Sequence, residues 1–373
     1  MHPTPRQRQL RRRLTLRAGS GFAALATLWL GAFFTCLVML SALMAAVVTD
    51  HTLPLLMAAA AACYRLGGWI HVPPPENGGI WLDEALIPGF RRRVDRICMR
   101  LGARRIDRIL ITPDTNAAVV CRPRFGLWGP MRTTLLLGIP LTHALNARQL
   151  CAVLAHELAH LAVQRRGCAA WHAHLRAWWL RCTERIEHER SAAALLVRPL
   201  LAPVAARDLR DSVELSRLDE FEADAVAARV VGGAALAGAL LELAMKDRFL
   251  HEDYWDKVMA QAREARRPRM RPFREMGLGV QVGFVRREAL ARLDHLLRAK
   301  PDPLDTHPTL AERLRALHVG HLGGLPVDVD GPSAAQHYFA RLLPTVSLVF
   351  DRMWWSESAR EWRRAHRGAI SGR

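Results

Sequence analysis

The segment His156-Glu157-Leu158-Ala159-His160 sets two imidazoles and a carboxylate at a spacing that can do chemistry. Residues four apart fall on one face of a helix, about one turn from each other. Both histidines can then offer a neutral ring nitrogen to one zinc ion. Glu157 is placed to take a proton from a water that the metal acidifies toward neutral pH. Such a site needs a third protein ligand, and a helix to hold the pair.

Both have candidates. Pro140 ends an apolar run, and Asn146 can cap the next helix, with Gln149 three residues on to reciprocate. Leu150, Val153, Leu154, Leu158 and Leu161 then form its apolar face, and Gly167 is placed to close it. The acidic segment Asp219-Glu220-Phe221-Glu222-Ala223-Asp224 offers Glu220 as third ligand from a separate helix. Asp224, four residues on, shares its face and can accept a hydrogen bond from the other nitrogen of a zinc histidine, which fixes the tautomer. Glu222 projects elsewhere. A solvated acidic helix surface would contain the same residues, so the alternative stays open at this point.

The chain has 373 residues, half of them hydrophobic, and a formal charge of +18 carried mostly by arginine. Six arginines fall in the first 17 residues: Arg6, Arg8, Arg11, Arg12, Arg13 and Arg17. No stacking-aromatic motif accompanies them, which argues against nucleic acid and for anionic lipid. Seven scattered cysteines indicate neither a disulfide framework nor a thiolate zinc site, and suit a reducing compartment.

Gly21 to Val48 carries no charge and exceeds the roughly 20 residues a helix needs to cross a bilayer. It is too long for the apolar region of a signal peptide. After Asp50, His51 and Pro54 a second apolar run ends at Ile70, broken by Arg65 and Gly67-Gly68. The basic amino terminus should stay cytoplasmic. Arg91, Arg92, Arg93, Arg96 and Arg100 favour a hairpin and a cytoplasmic enzyme domain. The expected layout is a basic terminus (1–20), an anchor (21–70, spans 21–48 and 53–70), a linker (71–84), an enzyme domain (85–320) and a helical extension (321–373).

Within the enzyme domain the periodicity predicts a helix over Leu86–Leu101 and strands over Ile106–Ile111, Ala117–Cys121 and Thr133–Ile139. The last is either a strand of the sheet core or, in a functional role, an edge strand beside which extended substrate would add. Residues 169–210 read as Trp-rich helix broken by Pro199 and Pro203, packed on the core or lying at the bilayer surface. Further helices are expected at 211–231, 234–245, 285–299, 309–318 and 333–366, with a basic loop at 265–279. The class is α+β, mainly α.

Taken together, His156-Glu-Leu-Ala-His160 and Glu220-Phe-Glu-Ala-Asp224 resemble the integral-membrane zinc peptidase family of HtpX and the CAAX prenyl proteases. Asn116-Ala117 resembles the Asn-Ala pair before that family's edge strand. Leu137-Gly138 resembles its strand leading to the active helix. Asp305-Thr-His-Pro308 with Arg313 resembles its His-Pro…Arg segment. The likeness covers roughly residues 85–320. The spacing of about 60 residues from His160 to Glu220 leaves little room for the inserted pair of membrane helices of HtpX itself.

The resemblance implies a zincin-like fold and one zinc ion held by His156, His160 and Glu220, with Glu157 catalytic. It implies that His307 lies near the oxyanion, that Asp224 and Arg313 support the ligands, and that Asn116, Ala117 and Gly138 line the substrate strand. It further implies a metalloendopeptidase acting on protein substrates at a bacterial inner (plasma) membrane, with quality control of membrane proteins as its role. A catalytically silent, chaperone-like or scaffold member of the same fold is the rival expectation.

Overall fold

In the computed structural model the described residues are 3–72, 78–125, 128–163, 169–318 and 331–371. Gly167, Cys168 and the boundary expected at 320/321 lie outside them. The chain order begins α1 (Pro5–Met44), α2 (Thr52–Ile70), β1 (Ile80–Trp81), α3 (Pro88–Leu101), β2 (Arg108–Thr112), β3 (Ala117–Phe125) and β4 (Trp128–Gly138). It continues α4 (Ile139–Ala144), α5 (Ala147–Val163), α6 (Ala169–His188), α7 (Ala192–Val231) and α8 (Gly233–Phe249). It closes α9 (Trp255–Ala260), α10 (Pro272–Gly283), α11 (Arg286–Leu297), α12 (Leu310–Ala316), α13 (Ala334–Phe339) and α14 (Leu343–Ser371).

The molecule is mainly helical, with one four-stranded mixed sheet, and divides into two compact units. One unit comprises residues 1–76, 166–219 and 303–307; the other holds the remainder.

In the first unit, α1 and α2 are both long and apolar enough to cross a membrane. The basic terminus and the apolar run form one helix, opened by a Thr4–Gln7 capping box. Leu25, Leu66, Trp69, Trp179 and Ile186 form this unit's core. Gly21 lets α6 approach: a Cβ there would meet the Trp179 ring at 2.2 Å. Part of the expected positive field is spent internally, because Arg17 pairs with Asp208 (3.0 Å) and Asp211 (2.8 Å) and Arg11 with Asp219 (2.7 Å). Residues 192–210 and 211–231 are one helix, not two. Pro199 and Pro203 lie inside α7, each removing one backbone donor, and Ala194 and Val197 pack on the unit's core alongside them.

The second unit is built around the sheet, in the order β1–β2–β4–β3. β2 runs parallel to β4, while β1 and β3 run antiparallel to their neighbours. Ile109, Ile111, Leu135 and Leu137 face a core shared with Phe90 and Val94 of α3 and Leu150, Leu154 and Leu158 of α5. Each such side chain contributes about 1.5–3 kcal/mol by leaving water. α14 packs against α10, and its Trp362 is fully buried with its indole N–H on Ala265 O at 3.0 Å. The basic loop expected at 265–279 is shorter, since Pro272 opens α10.

The alternative in which Thr133–Gly138 is an edge strand fails. Those residues lie in β4, which pairs with β2 on one side and β3 on the other. The unpaired edges among the described strands belong to β3 and to the two-residue β1. Pro123 and the charges of Arg122 and Arg124 are the sequence marks of an edge, whereas the run Leu135-Leu136-Leu137 marks an interior strand.

Candidate active site

α5 begins as its residues require. The Asn146 side chain accepts from Gln149 N (2.9 Å), and the Gln149 side chain accepts from Asn146 N (3.0 Å), so two orphan amide donors are satisfied at once. Ala152, Ala155 and Ala159, all buried, keep the helix slim where it enters the core. Packing on both sides fixes the roll of the helix, and with it the direction of His156 and His160. Their rings stand 5.0 Å apart at 87°.

Glu220 and Asp224 come from the C-terminal part of α7, one turn apart. His156 Nε2 lies 3.2 Å from Glu220 Oε2, and His160 Nε2 lies 3.3 Å from Glu220 Oε1. One ligand atom from each of the three residues falls within 4.8 Å of the others. Zinc–ligand bonds of about 2.0 Å in a tetrahedron put neighbouring ligand atoms about 3.3 Å apart. The donor set, two imidazoles and a carboxylate, and its spacing therefore fit a zinc ion.

Behind the cluster, His156 Nδ1 sits 2.8 Å from Asp224 Oδ1, and Asp224 is 1% exposed. Arg313 of α12 grips the same carboxylate with two donors, Nε to Oδ2 (2.8 Å) and Nη2 to Oδ1 (2.7 Å). A Thr309–Glu312 capping box starts α12 and so places Arg313 in its first turns. The Nδ1–H to Asp224 bond leaves Nε2 as the nitrogen turned toward Glu220, the tautomer a metal ligand needs.

The electrostatics agree. Burial disfavours charge on His156, yet hydrogen bonds to Asp224 and Glu220 prevail and hold its imidazole up to about 9. Burial opposes charge on Glu220 as well, and its bonds to the two imidazoles hold its carboxyl well below the usual range. A cation of higher charge would replace the imidazole proton between the same atoms. Glu157 projects from the same helix turn. Burial raises its carboxyl, against the pull of His156 and His160, which moves it toward the range of a general base.

The other expected residues sort as follows. Asn116 and Arg313 line one open cleft of about 740 Å³, walled also by Leu240, Trp255 and Leu310. Ala117 opens β3 opposite Leu137. Gly138 is needed for close approach, because a Cβ there would lie 1.8 Å from Asp114 O, and its N–H donates to Asn116 O at 2.8 Å. His307 is exposed, with its N–H on Asp305 Oδ1 (2.8 Å), and is not part of the converging His–His–Glu group. Pro308 directly precedes the helix cap at Thr309. The role of β3 as the open edge is what sequence reasoning missed, although Pro123 signalled it.

A small sheet backed by helices, one helix bearing both histidines and a second bearing the carboxylates, defines a membrane-associated metallopeptidase with two apolar amino-terminal helices. The model of peptidase family M48 matches residues 130–319, and the chain belongs to that family of zinc metallopeptidases. No curated protein matches its sequence. Among solved structures, the crystal structure of Ste24p from S. mikatae is similar at 16% identity and a TM-score of 0.35, over 82% of this chain and 64% of that one. The chain thus spans under two thirds of that protein's length.

Proposed function

We propose that the protein is a membrane-anchored, zinc-dependent metalloendopeptidase that hydrolyses peptide bonds in protein substrates. The observation that carries the reading is the convergence of His156 Nε2, His160 Nε2 and a Glu220 carboxylate, with Asp224 and Arg313 fixing the first imidazole from behind. These three residues would hold the metal. The chemistry supplied on binding is Lewis acidity at the scissile carbonyl and a water made acidic near neutral pH. Glu157 takes the water proton and delivers it to the leaving amine. Arg313 keeps Asp224 ionised, and Asp224 keeps His156 in the ligating tautomer.

Extended substrate adds to the free edge of β3, from Ala117 onward, with a side chain in the cleft beside Asn116 and Arg313. A basic terminus on the cytoplasmic side and a two-span anchor would support a cytoplasmic catalytic domain at a bacterial plasma membrane. Damaged or misassembled membrane proteins are the substrate class this tethering favours.

The test is cleavage of casein and of an unfolded membrane protein by the purified full chain. Glu157→Gln and chelation are each expected to abolish cleavage, with activity restored by zinc only in the chelated wild type. Undiminished cleavage by Glu157→Gln would refute the assignment.

A further inference from the structure

A cavity of about 370 Å³ opens between α4, α8, α10 and α13, and none of His156, His160 and Glu220 lines it. That volume sits at the low end of the roughly 300–1,000 Å³ that small-molecule sites occupy. Its wall includes Asn146 and Gln149, the pair that caps α5, so it adjoins the start of the helix that bears His156 and His160.

The cavity is lined by a buried polar group that the fold leaves unsatisfied. His143 of α4 is 8% exposed, and neither ring nitrogen has a hydrogen-bond partner among the described residues. Buried polar groups are normally paired, so an exception points to something that pairs it. Burial keeps the imidazole neutral at physiological pH, with one donor nitrogen and one acceptor. That combination suits a neutral group that both donates and accepts, such as an amide.

The charged groups of the wall sum to one positive charge. Glu242 is 4% exposed and binds both cations of the cavity, Lys246 Nζ at 2.8 Å and Arg286 Nη2 at 2.7 and 2.8 Å. Lys246 is further engaged by Ala144 O (2.6 Å) and by the Phe284 ring (5.4 Å). Arg286 is less committed. Nη2 alone meets Glu242, and Nε and Nη1 have no hydrogen-bond partner among the described residues. A guanidinium with donors to spare is a seat for a carboxylate. A phosphate monoester, at about −1.5 to −2, would overshoot the single positive charge. Leu145, Val280 and Phe284 supply apolar wall for the rest of the molecule.

We propose that this cavity is a binding site for a small monoanion that combines a carboxylate, an amide and an apolar side chain. The carboxylate sits on Arg286, the apolar part on Val280 and Phe284, and the amide satisfies His143.

The test labels the full chain in neutral detergent with N-acetyl-photoleucine, an acylated amino acid that carries a diazirine. Cross-links are mapped by mass spectrometry. Phenanthroline, a neutral chelator, keeps metal from recruiting the carboxylate. Cross-links are expected on α8, α10 and Phe284. Excess N-acetylleucine should reduce them at least tenfold, and N-acetylleucinamide less than twofold. Arg286→Gln should reduce them at least threefold. Absence of labelling on these helices, labelling centred on His156–His160, or equal competition by the amide would each overturn the proposal. So would wild-type labelling of Arg286→Gln. The competition in wild type decides the matter even where Arg286→Gln fails to fold.

Discussion

Two charged regions of the same unit treat their charge in opposite ways. Around α5, His156, Glu220, Asp224 and Arg313 are nearly all buried, and each ion faces an opposite one within 2.7–3.7 Å. On the outer sheet face, four arginines gather around a concavity with no acid among its described lining residues. Buried charge is tolerable only where it is paired, while exposed charge can stay uncompensated at modest cost. The closed cluster is therefore built for internal order and for one small cation. The open one gathers four like charges on the outer face of the sheet.

The comparison can be broken from the closed side first. Asp224→Ala leaves Arg313 and His156 buried without their nearest counter-ion, with only Glu220 remaining, which should cost about 3–5 kcal/mol in urea unfolding. A loss under 1 kcal/mol would mean that the cluster is not the closed network described.

A second break contrasts two histidines. His156 is held up by carboxylates, whereas His143 is 8% exposed and neither ring nitrogen has a hydrogen-bond partner among the described residues. Its Nδ1 would lie 3.0 Å from a Cβ built at Gly277, so α10 packs closely against the ring. Burial lowers His143 to about 4, against about 6.5 in the unfolded chain. The unfolded state thus binds more protons between these values. Stability should fall as pH drops from about 6.5 to 4, by about 3 kcal/mol, and be constant above that window. His143→Phe should flatten this part of the pH–stability curve; an unchanged slope would reassign it to other groups.

The smallest effect lies on the open side. Arg122→Thr removes the like-charge pair with Arg132, which stands opposite across the β3–β4 ladder, and should raise stability by about 0.2–1 kcal/mol in zwitterionic detergent, seen as a higher Tm. Destabilisation would mean that the arginine stem packs more than its charge repels.

Much of the closed region could be read from the sequence because it is governed by local rules. The Asn146–Gln149 cap, the leucine stripe and the four-residue spacings of His156/His160 and Glu220/Asp224 are short-range signals, and the structure contains each of them. A supporting role for Arg313 is implied by the resemblance, and the structure sets its guanidinium on Asp224. What could not be read is non-local. Strand order decides that β4 is interior and β3 an edge, and only Pro123 with its flanking arginines and the leucine run of β4 hinted at it. Helix continuity through Pro199 and Pro203 comes from tertiary packing that overrides local preference. The arginine face was invisible for the same reason: Arg108, Arg122 and Arg132 lie in three strands, and only the sheet register brings them together.

The most direct test of the catalytic account is zinc content by mass spectrometry of purified wild type, Glu157→Gln and Glu220→Ala, measured beside their cleavage rates. The expected result is one zinc per chain in wild type and in Glu157→Gln, far less in Glu220→Ala, and cleavage in wild type alone. Full zinc occupancy in Glu220→Ala, or cleavage by Glu157→Gln at the wild-type rate, would contradict it.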